Sequence, residues 1–200
     1  MKKGSKLVSV LTAAALALSA VCFTAGAASD DENLLTNPDA SNGFKGWKGT
    51  GKAWTTAKSY NDIEACDGKF FMPKKVKLKK GESTGVYQDI PLKNWAGKKA
   101  QVRGDICTAD GRKGDDLRIS VEFFDKDGKS LGSSSAGSNW ADSWKSCASD
   151  TVIPEDAVTA RVSLNVKYNS GEYADGCFDN IGFTIEGVKR SDLGSGKKKH

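Results

Sequence analysis

Phe178-Asp179-Asn180-Ile181-Gly182-Phe183 and, far upstream, Asn33-Leu34-Leu35-Thr36-Asn37-Pro38 decide the fold of this chain. Each stretch is a compact run whose apolar residues flank a few polar ones, which is typical of a strand. The two stretches lie near opposite ends of the central part of the chain. We therefore predict two strands that meet in one sandwich.

Working outward from these ends, apolar and polar residues alternate over 117–124 and 158–167. A period of two residues indicates a strand with one buried side. Further strands are predicted around 69–78, 84–91, 99–107, 144–153 and 177–186. Turn signals separate them at 80–82, 109–111, 125–128 and 169–171. Many short strands joined by such turns predict an all-β, two-sheet β-sandwich.

One turn signal has a second interpretation. Asp125, Asp127 and Gly128 are similar to the start of a calcium-binding loop. Ala136 stands where the bidentate glutamate would close a twelve-residue loop, however. We therefore predict a hairpin turn here.

The two ends of the chain differ from its centre. Three lysines, the apolar run 7–20 and the small residues 25–27 have the three-part form of a secretory signal peptide. We assign 1–28 to this peptide, which predicts a secreted protein without a membrane span. The Gly-, Ser- and Lys-rich end, 189–200, is interpreted as a basic flexible tail. The remaining 29–188 suits one domain.

Charge argues against nucleic acid as a partner. Residues 29–188 contain 22 basic and 24 acidic residues, so the net charge of this region is −2. A surface that binds phosphates needs a clear excess of basic side chains. We expect a monomer without a nucleic-acid partner.

Four cysteines follow the signal peptide: Cys66, Cys107, Cys147 and Cys177. An even number in an exported chain favours one or two disulfides. Four thiols allow three pairings, and the sequence does not choose among them. Reduced, buried thiols agree with the sequence equally well.

The only histidine is His200, which excludes catalysis by a histidine-dependent triad and a histidine-rich zinc site. Glycoside hydrolysis needs only two carboxylates. Glu122 is the one glutamate in the middle of a predicted polar strand face, and Asp105 is its one candidate partner. A salt bridge is the favoured role for Glu122, so we predict that the protein is not an enzyme. A small jelly-roll glycoside hydrolase and a cell-surface module for protein interaction or adhesion are the alternatives.

Four segments carry a family resemblance: NLLTNPDASNGFKGW, GVYQDIPL, SWKSCASDTVIPEDAVTARVSLNV and GCFDNIGFTIEG. In order and spacing they resemble carbohydrate-binding modules of the family 4, 9, 16 and 22 type. The resemblance covers nearly all of 33–187. It implies a galactose-binding-like jelly roll and a non-catalytic role in binding a polysaccharide or oligosaccharide, with a plant-type β-glycan favoured.

The first segment departs from the family pattern, because Asp39, Ala40 and Ser41 follow Pro38 where such modules usually have Gly-Phe-Glu. That glutamate commonly helps to hold a structural calcium ion. Asp179 matches the late aspartate that often contributes to the same ion. The resemblance thus implies one structural calcium site with Asp179 and Asp39 as ligands. Without calcium, Asp179 is expected to bind the backbone of the first strand.

A sugar ring presents a flat C–H surface and a belt of hydroxyls, so a site needs aromatic planes and fixed polar groups. Trp47 and Trp144 are expected in the core. The aromatic candidates for ligand contact are Trp140, Trp54, Trp95, Tyr87 and Tyr168. The polar candidates are Arg103, Arg118, Glu122 and Asn165, taken from an outward row that also includes Gln101, Asp105, Arg161 and Lys167. A solvated sheet face and aromatics packed under loops are the alternatives. We expect Trp140→Ala or Trp54→Ala to weaken retention on polysaccharide.

Overall fold

The computed structural model describes residues 31–49, 53–108, 114–138 and 141–194. The predicted signal peptide, the predicted turn at 109–111, Trp140 and His200 lie outside the described residues. Within the described residues the strands are β1 (Lys48–Gly49), β2 (Trp54–Ala57), β3 (Ser59–Tyr60), β4 (Ile63–Glu64), β5 (Phe70–Pro73), β6 (Ser83–Pro91), β7 (Lys99–Cys107), β8 (Asp116–Phe124), β9 (Ser130–Ser138), β10 (Lys145–Val152), β11 (Thr159–Lys167) and β12 (Cys177–Ile185). A 3-10 turn covers Arg190–Leu193. None of the described residues belongs to a helix long and apolar enough to cross a membrane.

Two antiparallel sheets of five strands each pack together. The front sheet has the order β1-β6-β11-β8-β9, and the back sheet has the order β10-β7-β12-β5-β2. A two-stranded hairpin, β3–β4, is separate from both. The molecule is therefore an all-β, two-sheet jelly-roll β-sandwich, as predicted.

The alternating segments form the strands that fill the core. Leu117, Ile119, Val121 and Phe123 of β8 are at most 1% exposed. Every second residue of β11, from Ala160 to Val166, is fully buried opposite them. Burying such side chains is the main source of stability in a sandwich. All seven predicted strands are present, although the one predicted around 69–78 covers only Phe70–Pro73. The serine- and glycine-rich β9 and the short strands β1 to β4 were not predicted.

A second, smaller core lies on the outer side of the back sheet. Strand β5 is buried on both sides, because Phe71 enters the main core while Phe70 and Met72 face outward into this smaller cluster. The hairpin β3–β4 contributes Ile63 to it. Trp144 is half-buried against the cluster, with its ring centre 5.7 Å from that of Phe70. Trp144 thus packs as predicted, but in the smaller core.

The segment from Asn33 to Pro38 meets β12 without forming a strand. The Leu34 N–H donates to the Phe183 carbonyl at 2.9 Å, and the Asn33 amide donates to the Ile181 carbonyl at 2.9 Å. Asn37 has a φ of 54°, which takes the backbone out of the extended region just before Pro38. The prediction that the two end segments meet is confirmed. The prediction that the first of them is a strand is wrong for this reason.

Residues near the C-terminal end dock on the domain. The backbone N–H of Arg190 donates to the Asp31 carbonyl at 2.8 Å, and its guanidinium donates to the Thr36 hydroxyl at 3.0 Å. Val188, just before it, is 3% exposed. These contacts join residues near 190 to the domain, and the flexible tail over 189–200 stays a prediction. Residues 195–200 lie outside the described part of the chain.

The hairpin prediction at 125–128 is confirmed. The Asp125 carboxylate accepts the backbone N–H groups of Asp127 and Lys129, both at 2.9 Å, and Gly128 has a φ of 78°. An aspartate that bonds the backbone two residues on is typical of such turns. The turn connects β8 to β9.

Candidate functional site

A row of small side chains crosses the outer surface of the front sheet. The strand register aligns Ser163 of β11, Ser120 of β8 and Ser135 of β9. Tyr87 of β6 continues this row, with Lys48 of β1 beside it. Since neighbouring strands lie ~4.8 Å apart, the row from Tyr87 to Ser135 is about 14 Å long. We call this row and the longer side chains on both sides of it the serine groove.

One wall of the serine groove is centred on Arg161. Its guanidinium binds Asp89 with Nε–Oδ1 and Nη2–Oδ2 distances of 2.7 and 3.2 Å. The guanidinium carbon lies 4.3 Å from the ring centre of Tyr87 and 5.2 Å from that of Phe124. This hydrogen bonding lowers the pKa of Asp89, which keeps its carboxylate ionised. Arginine has five N–H donors, so three remain for another acceptor after Asp89 takes two.

Glu122 stands next to Arg161 on the same wall. The strand register pairs the two residues directly, and the Glu122 carboxylate accepts a hydrogen bond from the Ser130 hydroxyl at 2.6 Å. The wall therefore offers fixed donors and acceptors side by side. Hydroxyl groups, which donate and accept at once, match such a surface.

The opposite wall consists of Asn165 and Arg118, flanked in the same register by Gly85 and Gly137. It lies four residues along the strands from the first wall, or about 13 Å away. A Cβ atom on Gly85 would come within 2.4 Å of the Asn165 side-chain oxygen, and one on Gly137 within 1.9 Å of the Leu117 carbonyl. Glycine is thus required at both ends of this wall.

A shallow cavity of about 460 Å³ adjoins this wall. It is lined by Asp116, Arg118, Gly137, Ser138 and Asn169. The Arg118 Nη2 atom lies 2.9 Å from Asp116 Oδ1. Ser138 is the last described residue before Trp140. Apart from Gly137, the lining residues have polar side chains.

One buried carboxylate holds the loop that supplies Asn169. Asp115 is 3% exposed, and its Oδ1 atom accepts the N–H groups of Asn169 and Ser170 at 2.7 and 3.3 Å. Its Oδ2 atom accepts the Asp175 N–H at 2.8 Å. The Asn169 amide also donates to the Gly114 carbonyl at 3.0 Å. Asp115 therefore fixes the side of the cavity that this loop forms.

Four of the residues predicted as ligand contacts lie together on the serine groove: Tyr87, Arg118, Glu122 and Asn165. Arg103 does not join them, because β7 belongs to the back sheet. Gln101 binds Asp150 there, and Asp105 binds Ser146 and Asn180. The sequence predicted their outward orientation but not which sheet carries them.

The site also includes residues that the sequence analysis did not select. Arg161 was predicted to point outward but was not chosen as a ligand contact, and Asp89 and Phe124 were missed. The alternation that places Tyr87 outward also places Asp89 outward, two residues along the same strand. This signal was present in the predicted strand at 84–91.

The predicted aromatic platforms have different environments. Trp95 is 8% exposed and belongs to the main core, so its prediction as a platform is wrong. Trp54 is half-buried, with its ring centre 5.9 Å from that of Phe178 and its indole N–H donating to the Thr84 hydroxyl at 3.0 Å. The Tyr168 hydroxyl donates to the Gly171 carbonyl at 2.7 Å. Trp140, the strongest candidate, lies outside the described residues and stays a prediction.

The predicted calcium ligands are turned toward hydrogen-bond donors. Asp179 is fully buried, and its two oxygens accept the N–H groups of Cys66 and Asn180, both at 2.8 Å. Burial raises the pKa of this carboxyl to about 7. Asp39 accepts the hydroxyl and the N–H of Ser41. A calcium ion needs several oxygens directed at one point, and this arrangement does not fit that need. Calcium stays a prediction from the resemblance, and we derive no role for it.

Comparisons with known proteins place the fold. No family model matches the chain, and no curated protein matches it. Among solved structures, a family 16 carbohydrate-binding module is similar with a TM-score of 0.57 and 20% identity over 76% of this chain and 99% of the module. The CBM22-1 xylan-binding domain of Paenibacillus barcinonensis Xyn10C has a TM-score of 0.55 and 14% identity, covering 80% and 97%.

Enzymes also contain this fold as a part. The enzymatically active domain of bacteriophage CBA120 tailspike protein 4 has a TM-score of 0.58 and 16% identity over 76% of this chain. The chain spans only 21% of that protein. In contrast, it spans nearly the whole of the two binding modules. The chain thus has the jelly-roll fold of carbohydrate-binding modules.

Proposed function

We propose that this chain is a secreted, non-catalytic carbohydrate-binding protein that holds a glycan in the serine groove. The observation that carries the proposal is the floor of small side chains between two walls of fixed polar groups. A floor of serines admits a flat ring close to the sheet. The walls then offer donors and acceptors to the hydroxyl groups at the edges of the ring.

The charges of the groove favour a neutral ligand. The cations Arg161 and Arg118 are paired with Asp89 and Asp116, respectively. A free anion would have to compete with these carboxylates for the same donors. Neutral hydroxyl groups can instead use the remaining N–H groups of each guanidinium. A polysaccharide without carboxylates is the ligand class that this arrangement fits.

The positions of the carboxylates support a role without catalysis. Glu122 and its predicted partner Asp105 lie on different sheets, and Asp105 is 5% exposed. Asp89 shares the face with Glu122, but the Arg161 guanidinium stands between them. The pKa of Asp89 is lowered, which makes this carboxyl a poor proton donor. Glycoside hydrolysis requires a carboxylic acid that can protonate the leaving oxygen.

We favour a plant-type β-glycan as the ligand. One protein with this fold is described as a xylan-binding domain. A β-1,4-linked backbone is extended, which suits a straight groove that crosses several strands. The experiment is incubation of the processed protein with insoluble xylan, cellulose, mannan and mixed-linkage β-glucan, with starch as a control of different linkage.

The expected result is loss of protein from the supernatant over at least one β-glycan, with no reducing sugar released in the same tube. Release of reducing sugar would show an enzyme. Failure to bind any glycan, together with recovery of a protein partner, would favour the adhesion alternative. Either outcome would contradict the proposal.

Asp115→Asn should weaken glycan retention several-fold, although Asp115 does not line the groove. In the wild-type protein both oxygens of Asp115 accept backbone N–H groups, from Asn169 and Asp175. The asparagine amide replaces one of these oxygens by an NH2 group, which cannot accept, so one bond is lost and the loop that carries Asn169 is released. The measurement is affinity electrophoresis in a gel that contains the bound glycan.

Asp125→Asn is the matched control for this variant, because Asp125 also accepts two backbone N–H groups. It lies at the opposite end of β8 from the cavity. Equal retention of the two variants would contradict the assigned role of Asp115.

A further inference from the structure

Two buried cysteines are paired on neighbouring strands of the back sheet. Cys107 at the end of β7 and Cys177 at the start of β12 are directly opposite in the antiparallel register. Both are free, at 1% and 0% exposure, and both belong to the smaller core. Cys147 is also free but lies on β10, and Cys66 is disulfide-bonded without involving these three cysteines. A disulfide is therefore absent at the described positions 107, 147 and 177.

The backbone already has the spacing that a disulfide needs. Directly opposite residues of antiparallel strands have Cα atoms about 4.5 to 5.5 Å apart. Disulfides span Cα separations of about 4.4 to 6.8 Å. Opposite residues also project to the same side of the sheet. The bond between Cys107 and Cys177 thus needs side-chain rotation and no change of strand register.

We propose that Cys107 and Cys177 form an intramolecular disulfide when the protein is exported. The sequence left three pairings open, and the register selects this one. The oxidant is a disulfide of low molecular mass or of an oxidoreductase. A thiolate of one cysteine attacks that disulfide, forms a mixed disulfide and releases one thiol. The second cysteine then displaces the other thiol, so two protein thiols and one disulfide give one protein disulfide and two thiols.

Burial restricts this reaction to the stage before the smaller core closes. In the folded chain, burial raises the pKa of Cys107 to about 12 and raises that of Cys177 as well. The thiolate is the reactive form, so both groups are inert once covered. The hairpin β3–β4 and Trp144 pack against the cluster, and the Trp144 indole N–H donates to the Glu64 carbonyl at 2.7 Å. Oxidation is therefore expected during folding and not in the native protein.

The test uses the processed protein, without the predicted signal peptide, and compares two orders of treatment. In the first, the reduced protein is unfolded and refolded with oxidised glutathione. In the second, the reduced protein is refolded first and then receives the same oxidant. Remaining thiols are alkylated in denaturant, and peptides are mapped by mass spectrometry. We expect a Cys107–Cys177 cross-linked peptide in the first order and at least ten-fold less of it in the second.

The bond closes a loop of about 70 residues, so the cross-linked protein should melt roughly 10 °C higher than the reduced one. Cys147→Ser is the matched control and should retain both the cross-link and the shift. The double variant Cys107→Ala/Cys177→Ala should show no difference in melting temperature between the two orders of treatment. Alkylation of both thiols after oxidative refolding would overturn the proposal, and so would a cross-link from either of them to Cys66 or Cys147.

Discussion

Replacing Arg161 by alanine is expected to weaken glycan binding by roughly thirty-fold, or about 2 kcal/mol. The variant removes the three N–H donors that remain after Asp89 is bound. It also removes the cation that lies 4.3 Å from the Tyr87 ring centre, so the end of the groove loses its fixed geometry. Asp89 and Glu122 would then face each other without the charge between them. The measurement is a depletion isotherm on the glycan that retains the wild-type protein.

Arg103→Ala is the control with the same change on the opposite sheet. Arg103 lies on β7, so its loss should leave the isotherm unchanged. Arg161→Ala should retain its melting temperature to within a few degrees, because the Arg161 ion pair is partly exposed and such pairs contribute little to stability. Loss of binding in Arg103→Ala and not in Arg161→Ala would place the ligand on the back sheet.

Trp47→Ala should lower the free energy of unfolding by about 3 to 5 kcal/mol, the usual cost of removing a large buried aromatic. Trp47 is 6% exposed, and its ring centre lies 5.1 Å from that of Phe71. Its indole N–H donates to the Asn37 carbonyl at 3.1 Å, which holds the segment before β1 against the core. The measurement is chemical denaturation followed by intrinsic fluorescence.

Two variants separate the contributions in this prediction. Trp47→Phe retains a ring against Phe71 but loses the hydrogen bond and part of the buried ring, so it should lower the free energy of unfolding by less than Trp47→Ala does. Trp54→Ala removes a half-buried ring and should cost clearly less than Trp47→Ala. A Trp47→Ala protein that unfolds at the wild-type denaturant concentration would show that the first segment does not stabilise the sandwich.

The strands that the sequence predicts best are those with one apolar side. In β8 and β11 every second residue enters the core, so the two-residue period is visible without coordinates. Strand β9 has the sequence SLGSSSAGS, which has almost no apolar side to show. Its place in the sheet comes from pairing with β8, and pairing leaves no periodic signal in such a sequence. Strand β5 shows no alternation of apolar and polar residues for a different reason, because both of its sides are buried.

The candidate site was predictable in part for the same reason. Alternation gives the outward position of Tyr87, Arg118, Glu122 and Asn165, but it does not say which sheet a strand joins. Arg103 was grouped with them for lack of that information. The serine groove depends on the register of β6, β11, β8 and β9, which brings Ser163, Ser120 and Ser135 into line. Trp95 lies in a polar segment that suggested exposure, yet its ring is buried in the core.

Strand β9 is the outermost strand of the front sheet, and within the described residues no other strand of that sheet lies beyond it. The row of serines therefore reaches the margin of the sheet. A polymer lying there can continue past the protein, so interior stretches would serve as well as chain termini. Each additional sugar unit of the polymer adds one more binding position, which overlaps with the others and makes the same contacts with the protein. Apparent affinity should then grow with the degree of polymerisation, even though the contacts made at any moment stay the same.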